Sequence, residues 1–345
     1  MKIANFEIGS KPFVIAEVSG NHNQSIDRAK AIIKAAADAG AHAVKLQTYT
    51  ADTMTLRGAY TINDSNSLWN GRELYDLYIE AHTPWEWHKP LFDYAEQLNI
   101  MIFSTPFDPT SVDFLESLNV PCYKIASFEN TDHILLEKVA KTKKPVIMST
   151  GVASIADIQE SLQVLKNNGC EDVILLKCTS AYPALPTDAN INTIPHMMEL
   201  YNSPIGLSDH TVGIGVSIAA VALGACVIEK HFTLCRADGG VDSAFSLEPD
   251  ELKSLVKESE QAYYALGRVN YAMSEKERNS LFFKRSLYVT ADMKKGDIFS
   301  EENIRSVRPN IGLPTKYFKT IIGKKAKEDI KEGTPLSLNL IDPIY

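Results

Sequence analysis

Two histidines, His210 and His231, each close a short apolar run, PIGLSDH at 204–210 and CVIEKHF at 226–232. Each has an acid within two residues, Asp209 and Glu229. Neutral imidazoles are common ligands of divalent metals. Two adjacent strand ends could bring a pair of them to one ion with positions left open for Lewis-acid chemistry. Two hydrogen-bonded structural histidines would show the same spacing, so on the residues alone both readings stand. Other apolar runs end in groups suited to an anion. Lys45 and Lys124 sit where burial is costly unless an anion compensates. Thr105, Ser127, Ser149, Ser180 and Ser208 offer hydroxyls that either cradle a phosphate or cap the next helix. Gln47, Tyr182 and Glu229 close the same runs, and Glu17 closes FVIAEVS as a general acid or base or as a partner for a lysine. This concentration of cations, hydroxyls and imidazoles suits a phosphorylated or carboxylated substrate with a metal nearby. Trp85 and Trp87 fall on a predicted helix, where packing is the expected role.

These groups need elements that deliver them to one place. Eight apolar runs, at 13–19, 43–48, 101–107, 122–127, 145–150, 173–180, 204–210 and 226–232, read as strands covered on both faces. Stretches with helical periodicity alternate with them. SIDRAKAIIKAAADAG stops at Gly40, a natural residue just past a helix end. HTPWEWHKPLFDYAEQLN is expected to start with Thr83 as N-cap and Pro84 in the first turn. VGIGVSIAAVALGA is apolar all round and is expected to be buried, and PDELKSLVKESEQAYYALG closes the series. Eight strand–helix units over about 250 residues predict a (β/α)₈ barrel, with active groups at the C-terminal strand ends. An open doubly wound sheet lacks its usual GxGxxG after the first strand. The long connection at 49–82 is expected to hold a small helix from about residue 71 and to lie over the barrel mouth.

The domain reading is a barrel at 1–266, a linker with a short helix at 267–284 and a small β-rich unit at 285–345. In that last unit DMKKGDIF returns loosely as DIKEGTPL. The chain has 345 residues, 43 acidic and 35 basic, for a net charge of −8, which supplies no general field for nucleic acid or an anionic membrane. Five cysteines without a CxxC read as reduced thiols. With no apolar signal in MKIANFEIGS and no membrane-length run, the expected location is the cytoplasm.

Taken in order, FVIAEVSGNHNQS, AVKLQTYT, FSTPFD, YKIASFE, MSTG, LKCTSAYP, GLSDHT and ALGACVIEKHF resemble the sialic acid synthase family. RSLYVTADMKKGD and VRPN resemble the antifreeze-protein-like (SAF) domain that this family carries. The likeness covers essentially the whole chain. TYTADTMTL, LWNGRELYDLYIEAHTPWEWH and GLSDHTVG are similar to its pseudaminic acid branch. The resemblance implies a cytoplasmic C–C bond-forming transferase that joins phosphoenolpyruvate to a diacetamido sugar. It implies His210 and His231 as metal ligands, for Mn²⁺ in the usual case, with Mg²⁺, Co²⁺ or Zn²⁺ as alternatives. Lys45, Thr105, Lys124, Ser127, Ser149 and Ser208 match the phosphoenolpyruvate cradle. Glu17 matches a carboxylate near the reacting carbons, and Gln47, Tyr182, Glu229 and Asp242 match further site groups. Arg308 matches an arginine reaching into the barrel of the partner in a homodimer with swapped C-terminal domains. Many members read CTN where this chain reads CTS, so Ser180 replaces an amide with a shorter hydroxyl. The resemblance leaves sibling synthases of N-acetylneuraminic or legionaminic acid as the alternative. A carbohydrate- or ice-binding module would not need paired strand-end histidines and lysines.

Overall fold

A computed structural model describes residues 1–65 and 69–342. Leu68, the first residue of the LWNGRELYDLYIEAHTPWEWH motif, and the last three residues of the C-terminal unit lie outside the described residues. The chain divides into two compact units at Gly267/Arg268.

The first unit begins with a small antiparallel hairpin, β1 (Lys2–Ile3) and β2 (Phe6–Glu7). Eight parallel strands follow: β3 (Phe13–Glu17), β4 (Ala43–Thr48), β5 (Met101–Pro106), β6 (Tyr123–Ile125), β7 (Val146–Ser149), β8 (Val173–Cys178), β9 (Ile205–Asp209) and β10 (Val227–His231). They close in chain order, with β10 pairing both β9 and β3. The predicted barrel is therefore the observed one, and all eight apolar runs supply its strands.

Alternation along each strand decides what fills the barrel. Side chains two residues apart share a face. On one face lie Phe13, Ile15 and Glu17 of β3, Ile174, Leu176 and Cys178 of β8, and Val227 and Glu229 of β10 with His231. The lower members, including Phe13, Ile15, Phe103, Ile147, Ile174, Leu176 and Val227, form one buried apolar cluster with Ile3 of the hairpin. The intervening residues, such as Val14, Ala16, Val44, Leu46, Met148 and Leu175, belong to a separate and larger cluster under the helices. Each inward ladder thus starts apolar and ends polar, which places chemistry at the C-terminal end and a dry plug beneath it.

The first helix, α1 (Ile26–Asp38), is capped by Ser25 and ends before Gly40, whose φ of +84° is the left-handed geometry expected of a helix stop. The 49–82 connection contains α2 (Ala51–Met54) and α3 (Leu74–Ala81), so the expected small helix is present. Two details differ from expectation. In α4 (Trp85–Gln97) the N-cap is Pro84, and Thr83 instead places its hydroxyl 3.3 Å from His22 Nε2. Competition from a buried imidazole took the hydroxyl away from capping. The outer helices α5 (Pro109–Ser117), α6 (His133–Ala140), α7 (Ile155–Asn167) and α8 (Thr193–Leu200) follow in turn. Then α9 (Gly215–Ala222) buries only Ser217, Ala220 and Val221, while Ala219 and Ala222 are exposed. Its small residues tolerate water, so an apolar sequence did not require full burial. The last barrel helix is α10 (Pro249–Leu266).

The second unit holds α11 (Glu275–Ser280), the antiparallel pair β11 (Ser286–Val289) and β12 (Ile304–Val307), and α12 (Phe318–Ile321). Much of its remaining pairing consists of single bridges, so it is less regular than a β-rich reading suggests. The loose repeat has a structural meaning, because its two copies pair with each other. Met293 and Ile330 exchange backbone hydrogen bonds in both directions. Lys294 reaches Asp329 at 2.8 Å and Lys331 reaches Asp292 at 2.7 Å, an approximate two-fold within 60 or so residues.

Gly206 tests the barrel's packing. A Cβ there would meet Val227 O and lie 2.6 Å from Leu176 Cδ2 inside the plug. Gly206→Ala should lose at least about 2 kcal/mol in urea unfolding, because the colliding backbone cannot rotate away. An unchanged midpoint would contradict the close packing described.

Candidate active site

The polar ends of the ladders open into a cavity of about 410 Å³. Glu17, Lys45, Gln47, Lys124, Ser127, Ser149, Ser180, Tyr182, Ser208, His210, Glu229, His231 and Asp242 all line it. Of the residues singled out in the sequence, Thr105 stands behind the wall, where it accepts a hydrogen bond from Lys45 Nζ at 3.2 Å. Arg308 belongs to the second unit and is exposed there.

Four buried ions form the floor. In the parallel register Glu17 lies level with Lys45 on one side and His231 on the other, and Glu229 lies level with Ser208. Lys45 Nζ is 3.0 Å from Glu17 Oε2 and 3.3 Å from Glu229 Oε2. These are ion pairs without hydrogen-bond alignment, so both Oε2 atoms keep an unused acceptor position. Lys124 Nζ lies 3.7 Å from Glu229 Oε1 and donates to Ser149 Oγ at 2.6 Å. Ser208 donates to Glu229 Oε1 at 2.8 Å.

The two carboxylates titrate apart. Burial pushes Glu17 up to about 7, against the opposing pull of Lys45. Burial would also raise Glu229, but Lys124 and Lys45 together overcome it and hold that carboxyl down at about 2. Burial lowers Lys124, whereas for Lys45 the attraction of Glu17 and Glu229 outweighs burial and raises it. The floor thus sets its two lysines against one firmly charged carboxylate and one held towards its neutral form. An entering phosphate or carboxylate meets those lysines with little water to screen them.

Gly151 borders this floor. Its N–H donates to Ser127 Oγ, and a Cβ there would run into the Ser180 hydroxyl and lie 2.6 Å from Ser127 Oγ. The bare backbone lets Ser127 and Ser180, which both line the cavity, pack directly against it.

The two imidazoles stand 5.4 Å apart between ring centroids. Tyr182 lies against His210 at 4.4 Å and Phe245 against His231 at 4.9 Å, which fixes both ring planes. His210 Nδ1 is 3.0 Å from the Thr179 carbonyl. A carbonyl only accepts, so Nδ1 carries the proton and Nε2 keeps the lone pair. His231 Nδ1 is buried without a hydrogen bond, and burial followed by the neighbouring His210 keeps that ring neutral. Two facing imidazoles, one with an orphaned nitrogen, fit a divalent ion. Among the described residues no group of three or more His, Cys, Asp or Glu side chains could hold a metal alone, so water or substrate oxygens would complete the coordination.

Sequence reasoning missed several wall residues. Glu129, the last letter of YKIASFE, lines the cavity, and burial pushes it up to about 7. Its Oε2 takes no hydrogen bond. Cys178 could have been found from the alternation along β8. Trp69 donates from Nε1 to Val241 O at 3.2 Å and lies near Tyr182, but it comes from an irregular loop that gave no periodic signal.

The NeuB family profile matches residues 32–271, and the SAF domain profile matches residues 284–342. The chain belongs to the NeuB family. A pseudaminic acid synthase of Campylobacter jejuni subsp. jejuni serotype O:23/36 (strain 81-176) is 45% identical over 337 residues, covering 97% of this chain and 98% of that protein. An N,N'-diacetyllegionaminic acid synthase of Campylobacter jejuni subsp. jejuni serotype O:2 is 40% identical, over 93% and 98%. The crystal structure of an N-acetylneuraminic acid synthetase from Leptospira borgpetersenii serovar Hardjo-bovis, in complex with citrate, matches with a TM-score of 0.74 and 33% identity. It covers 81% of this chain and 94% of that one. This NeuB-family protein is accordingly a phosphoenolpyruvate-dependent, C–C bond-forming sugar-acid synthase, and the family's chemistry is metal-dependent. Among its described residues no helix is long and apolar enough to cross a membrane.

The charge floor predicts unequal stability effects. Glu229→Gln strands buried Lys124 and leaves Lys45 with Glu17 alone, and should cost about 3–5 kcal/mol at neutral pH, whereas Glu17→Gln should cost less because Glu17 is already partly protonated. The Glu229 contribution is present above its ordinary value of 4.5 and should fade as pH falls towards about 2. Urea titrations across pH check both statements, and equal losses from the two variants would contradict them.

Proposed function

We propose that this NeuB-family synthase makes pseudaminic acid. It joins phosphoenolpyruvate to 2,4-diacetamido-2,4,6-trideoxy-β-L-altropyranose and releases phosphate. The 45% identity to a pseudaminic acid synthase, spanning nearly the full length of both chains, carries this reading. The 40% identity to a legionaminic acid synthase supports the second reading, a sibling enzyme acting on a stereoisomeric sugar.

In the proposed reaction Lys45 and Lys124 hold the phosphate and carboxylate of phosphoenolpyruvate, with the hydroxyls of Ser127, Ser149, Ser180 and Ser208 around them and Thr105 steadying Lys45 from behind. Carbon 3 attacks the aldehyde carbon of the open-chain sugar, and the resulting alkoxide takes a proton. Positive charge left at carbon 2 is captured by water. Glu17 takes a proton from that water, and the tetrahedral carbon then expels phosphate by C–O cleavage to leave the 2-keto acid. His210 and His231 would hold the divalent ion, Mn²⁺ in this reading, which when bound supplies Lewis-acid polarisation of the aldehyde. Gln47, Tyr182, Glu229 and Asp242 position the sugar. Arg308 of each chain grips an N-acetyl carbonyl in its partner's site, within a homodimer that exchanges C-terminal units. The proposed location is the cytoplasm.

Phosphate release with Mn²⁺ should be fastest with the altrose sugar and should stop on adding a chelator. Release only with the legionaminic-type stereoisomer or N-acetylmannosamine would move the enzyme to a sibling branch. His231→Ala should lower turnover and Mn²⁺ affinity, and unchanged values of both would remove the ligand role. With Glu17 as base, rate should rise with pH through about 7. Glu17→Gln should lose that limb and about 10²–10⁴ in rate. Ionisation of phosphoenolpyruvate is common to both proteins, so the difference between their profiles reports Glu17.

A further inference from the structure

Ser19 opens the short 3₁₀ turn that follows β3 and is the point where the floor of the site joins its rim. Its φ is +46°, in the left-handed region that favours glycine. It is 4% exposed and lines the cavity. Its hydroxyl donates to Asp242 Oδ2. It also accepts from Gln47 Nε2 at 3.0 Å, and the same nitrogen donates to Glu17 Oε1 at 2.9 Å. One serine therefore ties together residues from β3, β4 and the loop after β10.

The hydrogen count makes this bridge directional. A hydroxyl has one hydrogen, spent on Asp242. The Gln47 amide nitrogen has two, spent on Glu17 and Ser19. Both amide hydrogens are committed, so Gln47 can offer the cavity only its carbonyl oxygen. Without Ser19, one amide hydrogen is released and the amide is no longer held in that orientation. Asp242 also loses the hydroxyl that donates to its Oδ2. A glycine would fit this backbone without strain, so the fold does not require a side chain here. The bridge gives that strained side chain a role in the site.

We propose that Ser19 is a positioning residue for sugar recognition, held in a strained backbone because its hydroxyl fixes Gln47 as an acceptor and ties it to Asp242 across the cavity wall. The chemistry it selects is a hydrogen-bond donor, a hydroxyl or an amide N–H, on the sugar opposite Gln47. This rests on the synthase reading above, but not on which of the sibling sugars is used.

Steady-state kinetics on the full-length enzyme with Mn²⁺ test it, using whichever of the three sugars the wild type turns over. Ser19→Gly should raise KM for that sugar about tenfold, the cost of a lost buried hydrogen-bond arrangement. KM for phosphoenolpyruvate should stay within about twofold and Tm should equal or exceed that of the wild type, because the backbone relaxes. Ser19→Ala should show the same kinetic split without the gain in Tm. In a Gln47→Ala background, Ser19→Gly should add less than about threefold, since the two act as one unit. An unchanged sugar KM, an equal rise in both KM values with a fall in Tm, or full additivity with Gln47→Ala would each overturn the assignment. No turnover with any of the sugars would overturn the synthase reading, and this proposal with it.

Discussion

Everything in the barrel depends on keeping two ammonium and two carboxylate groups together out of water. Lys45, Lys124, Glu17 and Glu229 are each at most 5% exposed. Desolvating any one of them alone would cost several kcal/mol, so their positions are coupled to one another and to the strands that carry them. The apolar plug of Phe13, Ile15, Phe103, Leu176 and Val227 keeps water from below, which strengthens every interaction above it. A slip of one residue in any strand would exchange an ion for an aliphatic side chain and break the set. Barrel register and active-site electrostatics are therefore one constraint.

That constraint also divides labour between the carboxylates. Glu229 sits between both lysines and accepts from Ser208, so it stays charged throughout the range in which Glu17 titrates. Glu17 shares one lysine, and its other oxygen meets a neutral amide. Environments that push two neighbouring acids apart assign one to hold charge and the other to move a proton. Chain position alone would have made them equivalent, since each is an inward residue near the end of its strand.

The regular part of this design was legible in the sequence and the irregular part was not. Eight apolar runs with polar ends pointed to the barrel and to His210, His231, Lys45 and Lys124, because strand alternation is local and periodic. The same logic did not separate inward from outward polar residues until the register was known. Lys230 closes a run beside His231, yet it points outward and pairs with Asp209 at 3.3 Å. Thr83 was expected to cap α4, but a buried histidine distant in sequence took its hydroxyl. Trp69 and Glu129 come from turns without periodicity, and their place in the wall depends on tertiary contacts. Arg308 remained a matter of resemblance, because its role would need a second chain.

This split follows the chemistry. The charged end of the cavity is built from strand termini, whose relative positions the barrel register fixes. A phosphate and a carboxylate need that rigidity, since charge stabilisation fails once the groups can relax away. The opposite end is built from the 49–82 connection, with Tyr49, Trp69 and Tyr78, and from the loop holding Val241 and Asp242. Loops can change shape without disturbing the ion cluster, so in the proposed reaction discrimination among stereoisomeric sugars can vary while the bond-forming step is retained. The two ends must still be held in register with each other. Ser19 does this from the last turn of regular structure, reaching Gln47 on the rigid side and Asp242 on the variable one, which is why strain at that residue is tolerated.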